Sequence, residues 1–404
     1  MAIVNWDKYA LSKLGEITSS KRIFKKEYVE KGVPFYRTKE VKELANGNEI
    51  ATELFISEER FNEINEKFGS PKEGDILLTA IGTIGEIYVV KGHDKFYFKD
   101  GNVLWLKKFD SIEPYFLRYA LISFIDELQQ LSRGSTYNAL PINKLKNYEI
   151  FVPPIPEQKR IVALLDTVFA DLEQTRAKTE QNLKNARELF YSYLQQVFSQ
   201  KGEGWVETTL GEISKVSYGY TEKASFDRNG PHFLRITDIQ DGQVDWSKVP
   251  FCPISEADHE KHRLVSGDIV FARTGATTGK SYLLTSPPDS VAASYLIRLR
   301  LHSDSLSPKF IKFFFQTKEY WDVVNAGMSG SAQGGFNASK LSAMKIKYPE
   351  SKNEQKKLIQ KLTEIHQYVE QVNTIYKQKL DSIDELKKSI LQKAFNGELT
   401  ITVM

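Results

Sequence analysis

Apolar residues recur with a helical period in two long stretches and fall into short alternating runs elsewhere. From Glu157 to Phe198, and again from Glu354 to Phe395, neither proline nor glycine occurs for 42 residues. In the second stretch Leu362, Val369, Tyr376, Ile383 and Ile390 recur every seven residues, with Ile365, Val372 and Leu386 as a second series. The first stretch carries a rougher stripe of Leu165, Val168, Leu172, Leu183, Leu189, Phe190 and Leu194. A heptad spacing keeps one helix face apolar and requires a partner helix. At 1.5 Å per residue each helix is about 60 Å long, too long to lie on one ordinary domain. The two are therefore expected to pair, through a seam that includes Leu165, Leu172, Leu189, Leu362, Val369, Ile383 and Ile390.

Outside these stretches, β-branched and aromatic runs are cut by glycine, asparagine and aspartate, as at 75–90, 95–107, 267–275 and 294–301. Short helical patterns follow at 114–131 and 308–324. Strands dominate, which predicts α+β globular domains. The whole pattern occurs twice. Leu14-Gly15-Glu16-Ile17 recurs as Leu210-Gly211-Glu212-Ile213, and the segment from Pro34 to Val41 is echoed from His232 to Ile239. Gly74-Asp75-Ile76 recurs as Gly267-Asp268-Ile269, and Glu157-Gln158 as Glu354-Gln355. The expected organisation is a globular domain over 1–152, a helix over 153–200, a second domain over 201–349, and a helix with its tail over 350–404. Read as a circle, domain-helix-domain-helix predicts a pseudo-two-fold molecule with antiparallel helices and neighbouring termini.

Composition narrows the chemistry. In 404 residues, Lys+Arg 55 against Asp+Glu 52 leaves a net charge of +3, which excludes a uniformly basic coat but not local basic patches. Cys252 is the one cysteine, so no intramolecular disulfide forms and a cysteine-based zinc site is not expected. The first residues lack a signal peptide's apolar stretch, and Tyr115 to Ile125, interrupted by Arg118, is too short to span a bilayer. The expectation is a cytoplasmic protein with no membrane contact. Gly275-Ala276-Thr277-Thr278-Gly279-Lys280-Ser281 has one residue too few between its glycines for a P-loop. His259 and His262 lack the spacing of an HExxH zinc site. There is no GxSxG and no Asn-Pro-Pro-Tyr type tetrapeptide, and no glycine fingerprint for a methyl donor follows a strand. No catalytic residue, metal site or cofactor site is assigned; the chain reads as a measuring device and not an enzyme.

With these residues in view, the chain resembles the specificity subunit of Type I restriction-modification enzymes. The resemblance rests on Pro153-Pro154-Ile155-Pro156-Glu157-Gln158-Lys159-Arg160-Ile161, on Trp205 with Leu210-Gly211-Glu212-Ile213, on Phe395-Asn396-Gly397-Glu398-Leu399, and on the twin Gly-Asp-Ile segments. The second joint, Pro349-Glu350-Ser351-Lys352, lacks the double proline. The resemblance implies two target recognition domains, each reading one half of an interrupted double-stranded DNA sequence. It implies that the helices separate the domains and dock DNA methyltransferase subunits, two of them expected, and that restriction and translocase subunits join. S-adenosylmethionine, ATP and Mg2+ would then belong to those partners.

DNA contacts need donors and acceptors on loops, with glycines allowing close approach. The candidates in the first domain are Arg37, Thr38, Lys39, Thr79 and Thr83, then Arg133, Ser135, Thr136, Tyr137 and Asn138. In the second they are Arg235, Thr237, Arg273, Thr274, Thr277, Thr278 and Lys280, then Ser329, Ser331, Gln333 and Asn337. Arg37 and Arg235 lie in the most repeated stretch and are equally well read as scaffold or phosphate contacts. The Gly327 to Gly335 segment is equally an ordinary surface loop. Ala80-Ile81-Gly82 stands opposite Arg273-Thr274-Gly275, which predicts unlike half-sites, with Arg273 suited to a guanine. Two other readings stay open: a coiled-coil adaptor whose twin domains bind protein, and a specificity subunit of a different multi-subunit restriction-methylation system.

Overall fold

The computed structural model describes residues 6–92, 95–124, 139–200, 203–240, 242–302, 304–329 and 335–399. Two helices of 44 residues, Ile155–Phe198 and Lys352–Phe395, form where the heptad pattern places them. Each starts two residues before its Glu-Gln pair. Pro156 is tolerated there because a first-turn residue has no helical acceptor for its missing N–H. The second helix does without the double proline because the Ser351 hydroxyl accepts from the Glu354 N–H at 3.4 Å.

The chain packs as two compact units, Met1–Thr179 with Gln378–Met404, and Glu180–Lys377. The division cuts across both long helices, so each unit owns a segment of each. In the first unit an antiparallel sheet has the order Glu16–Thr18, Val103–Lys107, Ile76–Thr79, Ile87–Val89. A smaller mixed sheet pairs Val33–Tyr36 in parallel with Tyr97–Phe98. Asp7–Ala10 pairs with Glu149–Val152, bringing the start of the described chain to the foot of the long helix. The core joins sheet residues Leu78 and Leu104, Phe116 of the helix Pro114–Ser123, and Leu165 with Phe395 of the long helices. Trp6 and Leu399 belong to the same cluster, so the two ends of the described chain meet within this unit.

The second unit repeats this plan. Its sheet runs Ser214–Tyr218, Leu296–Leu301, Ile269–Ala272, Ser281–Leu283, again antiparallel. His232–Leu234 pairs in parallel with Ser290–Ala292, and Trp205–Thr209 pairs antiparallel with Lys345–Pro349. Its core gathers Phe271, Phe310, Tyr320 and Phe336 against Leu194 and Leu362.

The fold corrects one feature of the repeat. Leu11 donates its N–H to Tyr148 O and Leu210 donates to Met344 O, each 2.9 Å long, at the same point of the plan. Leu210-Gly211-Glu212-Ile213 is a helical turn of its own, whereas Gly15 ends the turn Leu11–Leu14 and Glu16 starts a strand. The identical tetrapeptides therefore sit three residues out of structural register.

Within each unit the long-helix segments run antiparallel. In the first, Glu173 pairs with Lys387 and Arg176 with Asp384, so rising numbers on one helix meet falling numbers on the other. In the second, Arg187 reaches Asn373, and Phe190 meets the His366 ring edge-on at 5.1 Å. Leu165, Leu362, Val369 and Ile383 are buried, and Leu172 and Ile390 pack partly buried against the cores. Leu189 does not belong to the seam: it is 61% exposed, and Phe190 takes its place at 5%. Leu386, 48% exposed, is likewise outside. The second stripe is wider than the apolar pattern: Ile365 packs against the second unit's core, and His366, Asn373, Leu380, Lys387 and Ala394, one residue later, are also at least half-buried. Polar residues with long or aromatic side chains fill seam positions there; the Lys387 ammonium lies 5.2 Å from the Phe169 ring centroid.

Candidate nucleic-acid interface

The most repeated motifs turn out to hold the frame. Lys72 and Val265 each donate a backbone N–H to the aspartate three residues later, Asp75 or Asp268, at 2.9 Å. Gly74 and Gly267 adopt φ 84° and 92°, a region open to glycine, to make that turn. Asp75 also accepts from the Trp105 indole at 2.8 Å, and Asp268 takes both ends of the Arg300 guanidinium at 2.7 Å. Burial pushes the Asp75 carboxyl above its ordinary pKa, against the pull of these donors.

Arg37 and Arg235 repeat each other in the same way. Arg37 donates from its backbone N–H and from Nε to Glu40 Oε2, at 2.8 and 3.2 Å, and from Nη2 to Oε1 at 2.6 Å. Arg235 makes the same three bonds to Asp238, at 2.8, 3.1 and 2.7 Å. Burial works to raise the Glu40 carboxyl, yet the bonds from Arg37 hold it below its ordinary pKa. Both guanidiniums have their donor edge filled by a carboxylate, which is a scaffold geometry. Lys39 stands exposed beside Glu53, and Thr38 opens the helix Thr38–Ala45 with a buried hydroxyl lacking a partner.

The hydroxyl of Thr79 donates to Thr83 O and accepts from the Glu86 N–H, closing a tight loop on which Thr83 is exposed. Thr278 is buried, with its hydroxyl on Gly275 O at 2.8 Å, while Thr277 is half-buried and Lys280 exposed. This segment leads into the strand Ser281–Leu283, not a helix, so it lacks the helix N-terminus a phosphate loop needs. Thr237 is exposed in the turn Ile236–Asp238. Arg133, Ser135, Thr136, Tyr137, Asn138, Ser331 and Gln333 lie outside the described residues, and Ser329 ends the helix Lys318–Ser329. His259, on the helix Glu256–His262, bonds Asp289 at 2.8 Å.

One group of candidates does come together, at the end of the second unit's main sheet where Ser214–Tyr218 and Ile269–Ala272 finish and Leu296–Leu301 begins. Arg273 donates its N–H to Tyr295 O at 3.2 Å and accepts from the Phe336 N–H at 2.9 Å. Its guanidinium lies over the Tyr218 ring, 4.9 Å from the centroid. The Tyr218 hydroxyl accepts from the Ala338 N–H at 3.2 Å. Asn337 precedes that residue, exposed, and caps the helix Ala338–Ser342 by accepting from the Lys340 N–H at 2.8 Å. Thr274 borders Gly335. Tyr218 and Tyr295 are 41% and 61% exposed; the Tyr218 ring lies under the Arg273 cation, and Tyr295 meets Arg273 through its backbone carbonyl. Neither tyrosine is among the polar loop residues expected from the sequence; Tyr218 alone is marked there, by the glycine that follows it in Tyr218-Gly219-Tyr220.

The first unit builds the same corner from different side chains. Ala80 donates to Asn102 O at 2.8 Å and accepts from the Leu140 N–H at 2.9 Å, so it is the counterpart of Arg273. Asn102 then matches Tyr295. Ser19, whose hydroxyl donates to Val103 O at 3.2 Å and accepts from the Gly101 N–H at 2.9 Å, matches Tyr218.

The chain thus holds two copies of one α+β module, alike in frame and unlike at one sheet end. The family model for the Type I restriction modification DNA specificity domain matches the chain twice, over residues 3–183 and 202–384. The chain belongs to that family. It is 27% identical over 293 residues to the Type I restriction enzyme EcoKI specificity subunit of Escherichia coli (strain K12), covering 68% of this chain and 63% of that protein. The match therefore spans less than two thirds of that relative's length. The Type I restriction enzyme MjaIX specificity subunit of Methanocaldococcus jannaschii is 26% identical over 324 residues, covering 72% of this chain and 71% of that one. Among solved structures, a chain from a study of complex assembly and conformational transition of the type I R-M system superposes with a TM-score of 0.80 over 98% of this chain and 99% of that one, at 19% identity. The HsdS subunit of Thermoanaerobacter tengcongensis gives a TM-score of 0.61 at 20% identity, over 98% and 97% of the two chains. At these identities the likeness concerns the fold.

Proposed function

We propose that this chain is the DNA-reading subunit of a Type I restriction-modification complex, each unit reading one half of an interrupted, asymmetric duplex target. The observation that carries the reading is the contrast between Ser19, Ala80 and Asn102 at one sheet end and Tyr218, Arg273 and Tyr295 at its counterpart. A repeat kept for structure alone has no use for an arginine over a tyrosine ring in one copy and an alanine in the other. The frame residues Asp75, Asp268, Arg37 and Arg235 are shared, as a common support for two different readers requires.

The chemistry belongs to partners. Methyltransferase subunits supply adenine methylation with S-adenosylmethionine, and restriction subunits supply ATP- and Mg2+-dependent steps. The net charge of +3 offers few surplus cations to phosphates, so binding by this chain alone is moderate and salt-sensitive. Methylome sequencing of cells carrying this chain with its methyltransferase subunit tests the reading. The expected motif is two unlike short blocks around an unread spacer; a continuous or perfectly palindromic motif overturns it.

A further inference from the structure

We infer that Tyr218 is the positioning residue for Arg273, so that the two side chains act as one device selecting a guanine in the half-site read by the second unit. This rests on the DNA-reading function above and adds to it a named residue, a base and a division of labour.

The arginines of the two units differ in what their donor edges have left to offer. Arg37, Arg235 and Arg300 spend their planar donor edges on Glu40, Asp238 and Asp268. Arg273 makes no ion pair with any described residue, and its guanidinium carbon lies instead over the Tyr218 ring, 4.9 Å from the centroid. A cation–π contact holds a guanidinium without using its hydrogen-bonding edge. That edge matches the paired acceptors O6 and N7 of guanine in the major groove.

Tyr218 is itself fixed at two points. Its backbone lies in the sheet opposite Ile297, and its hydroxyl takes the Ala338 N–H at 3.2 Å. The Phe336 N–H bonds Arg273 O at 2.9 Å, so the same short segment clasps both members of the pair. A long arginine side chain on an unsupported loop would lose rotamer entropy on binding; one already laid on a ring loses less. The repeat supplies an internal control. Where the second unit has arginine and tyrosine, the first has Ala80 and Ser19, and both partners are absent together.

The test uses the full chain with its methyltransferase subunit, reading methylation of duplex libraries randomised over one half-site at a time. Arg273→Ala is expected to relax discrimination at one base position of one half-site by about tenfold or more. Tyr218→Leu should relax the same position, the double variant should be no worse than Arg273→Ala, and Tyr218→Phe should stay within about twofold of the parent. Tyr218→Gln serves as a second ringless variant should Tyr218→Leu fold poorly. Melting curves accompany each, since a purely structural role would lower stability without picking out one base. Retained discrimination in the ringless variants, relaxation at a different position, or a double variant that loses the product of the single losses overturns the inference. If the parent methylates no interrupted sequence, the functional reading fails instead. If it does but Arg273→Ala changes nothing, only this inference fails.

Discussion

Gln355 repeats in the second unit the bonds that Gln158 makes in the first. The Gln158 amide donates to Pro153 O at 2.8 Å and Ser111 O at 3.3 Å and accepts from the Glu113 N–H at 2.7 Å. The Gln355 amide donates to Pro349 O at 2.9 Å and Ser305 O at 2.8 Å and accepts from the Ser307 N–H at 3.2 Å. Each buried glutamine ties the start of a long helix to the strand before it and to the loop leading into Pro114–Ser123 or Pro308–Phe314. The Glu-Gln motif is thus a joint between the helix and its globular part.

Truncating that joint should be costly. Gln158→Ala or Gln355→Ala removes a buried amide that serves three backbone groups, an expected loss of about 2–4 kcal/mol. Urea unfolding checks this, with the exposed Lys159→Ala as a control that should stay within about 0.5 kcal/mol of the parent. A glutamine variant with the same midpoint as Lys159→Ala would refute the clamp.

Arg37 is expected to act on stability and its pH dependence. Arg37→Met strands the Glu40 carboxylate, which is 3% exposed, and should cost about 1–3 kcal/mol near neutral pH. Glu40 titrates below its ordinary value when folded, so its contribution is full above the ordinary carboxyl range and is lost as pH falls through the lower, folded value. Melting curves from pH 7 to 3 should therefore show the parent losing its advantage over Arg37→Met in acid. An advantage that grows in acid would reverse the sign and reject the pairing.

The revised seam separates neighbouring residues. Ile383→Asp and Phe190→Asp place a charge at buried positions and should destabilise by about 3 kcal/mol or more. Leu386→Asp and Leu189→Asp, at exposed positions, should stay within about 0.5 kcal/mol. Thermal melts of the four variants decide between this stripe and the one read from apolar spacing.

The purified chain by itself should transfer no methyl group. Incubation with duplex DNA, labelled S-adenosylmethionine, Mg2+ and ATP is expected to leave the DNA unlabelled, and added methyltransferase subunit should restore labelling at a defined sequence. Label incorporated by the pure chain would overturn the assignment of chemistry to partners.

Helix length and the repeated plan were legible along the chain because they rest on local signals. An uninterrupted 44-residue helix needs only the absence of breakers and one apolar stripe, and Leu362, Val369 and Ile383 declared it. Gly-Asp-Ile and Glu-Gln were visible because their bonds close within a few residues or at fixed joints, so the same letters had to recur. Tertiary packing decided the rest. Leu189 and Phe190 are interchangeable by hydropathy; the Phe190 ring sits against His366, and Leu189 is left in solvent. His366, Asn373 and Lys387 fill the second stripe through ring edges, amides and methylene stems, which no count of apolar residues registers. Arg37 and Arg273 look alike as letters. Their difference lies in what stands beside them: carboxylates from Glu40 and Glu53 for one, a tyrosine ring 55 residues earlier in the chain for the other. Such long-range neighbours are set by strand order, because a sheet end gathers residues from strands far apart in sequence, and only the folded chain brings Tyr218, Arg273 and Tyr295 to one corner.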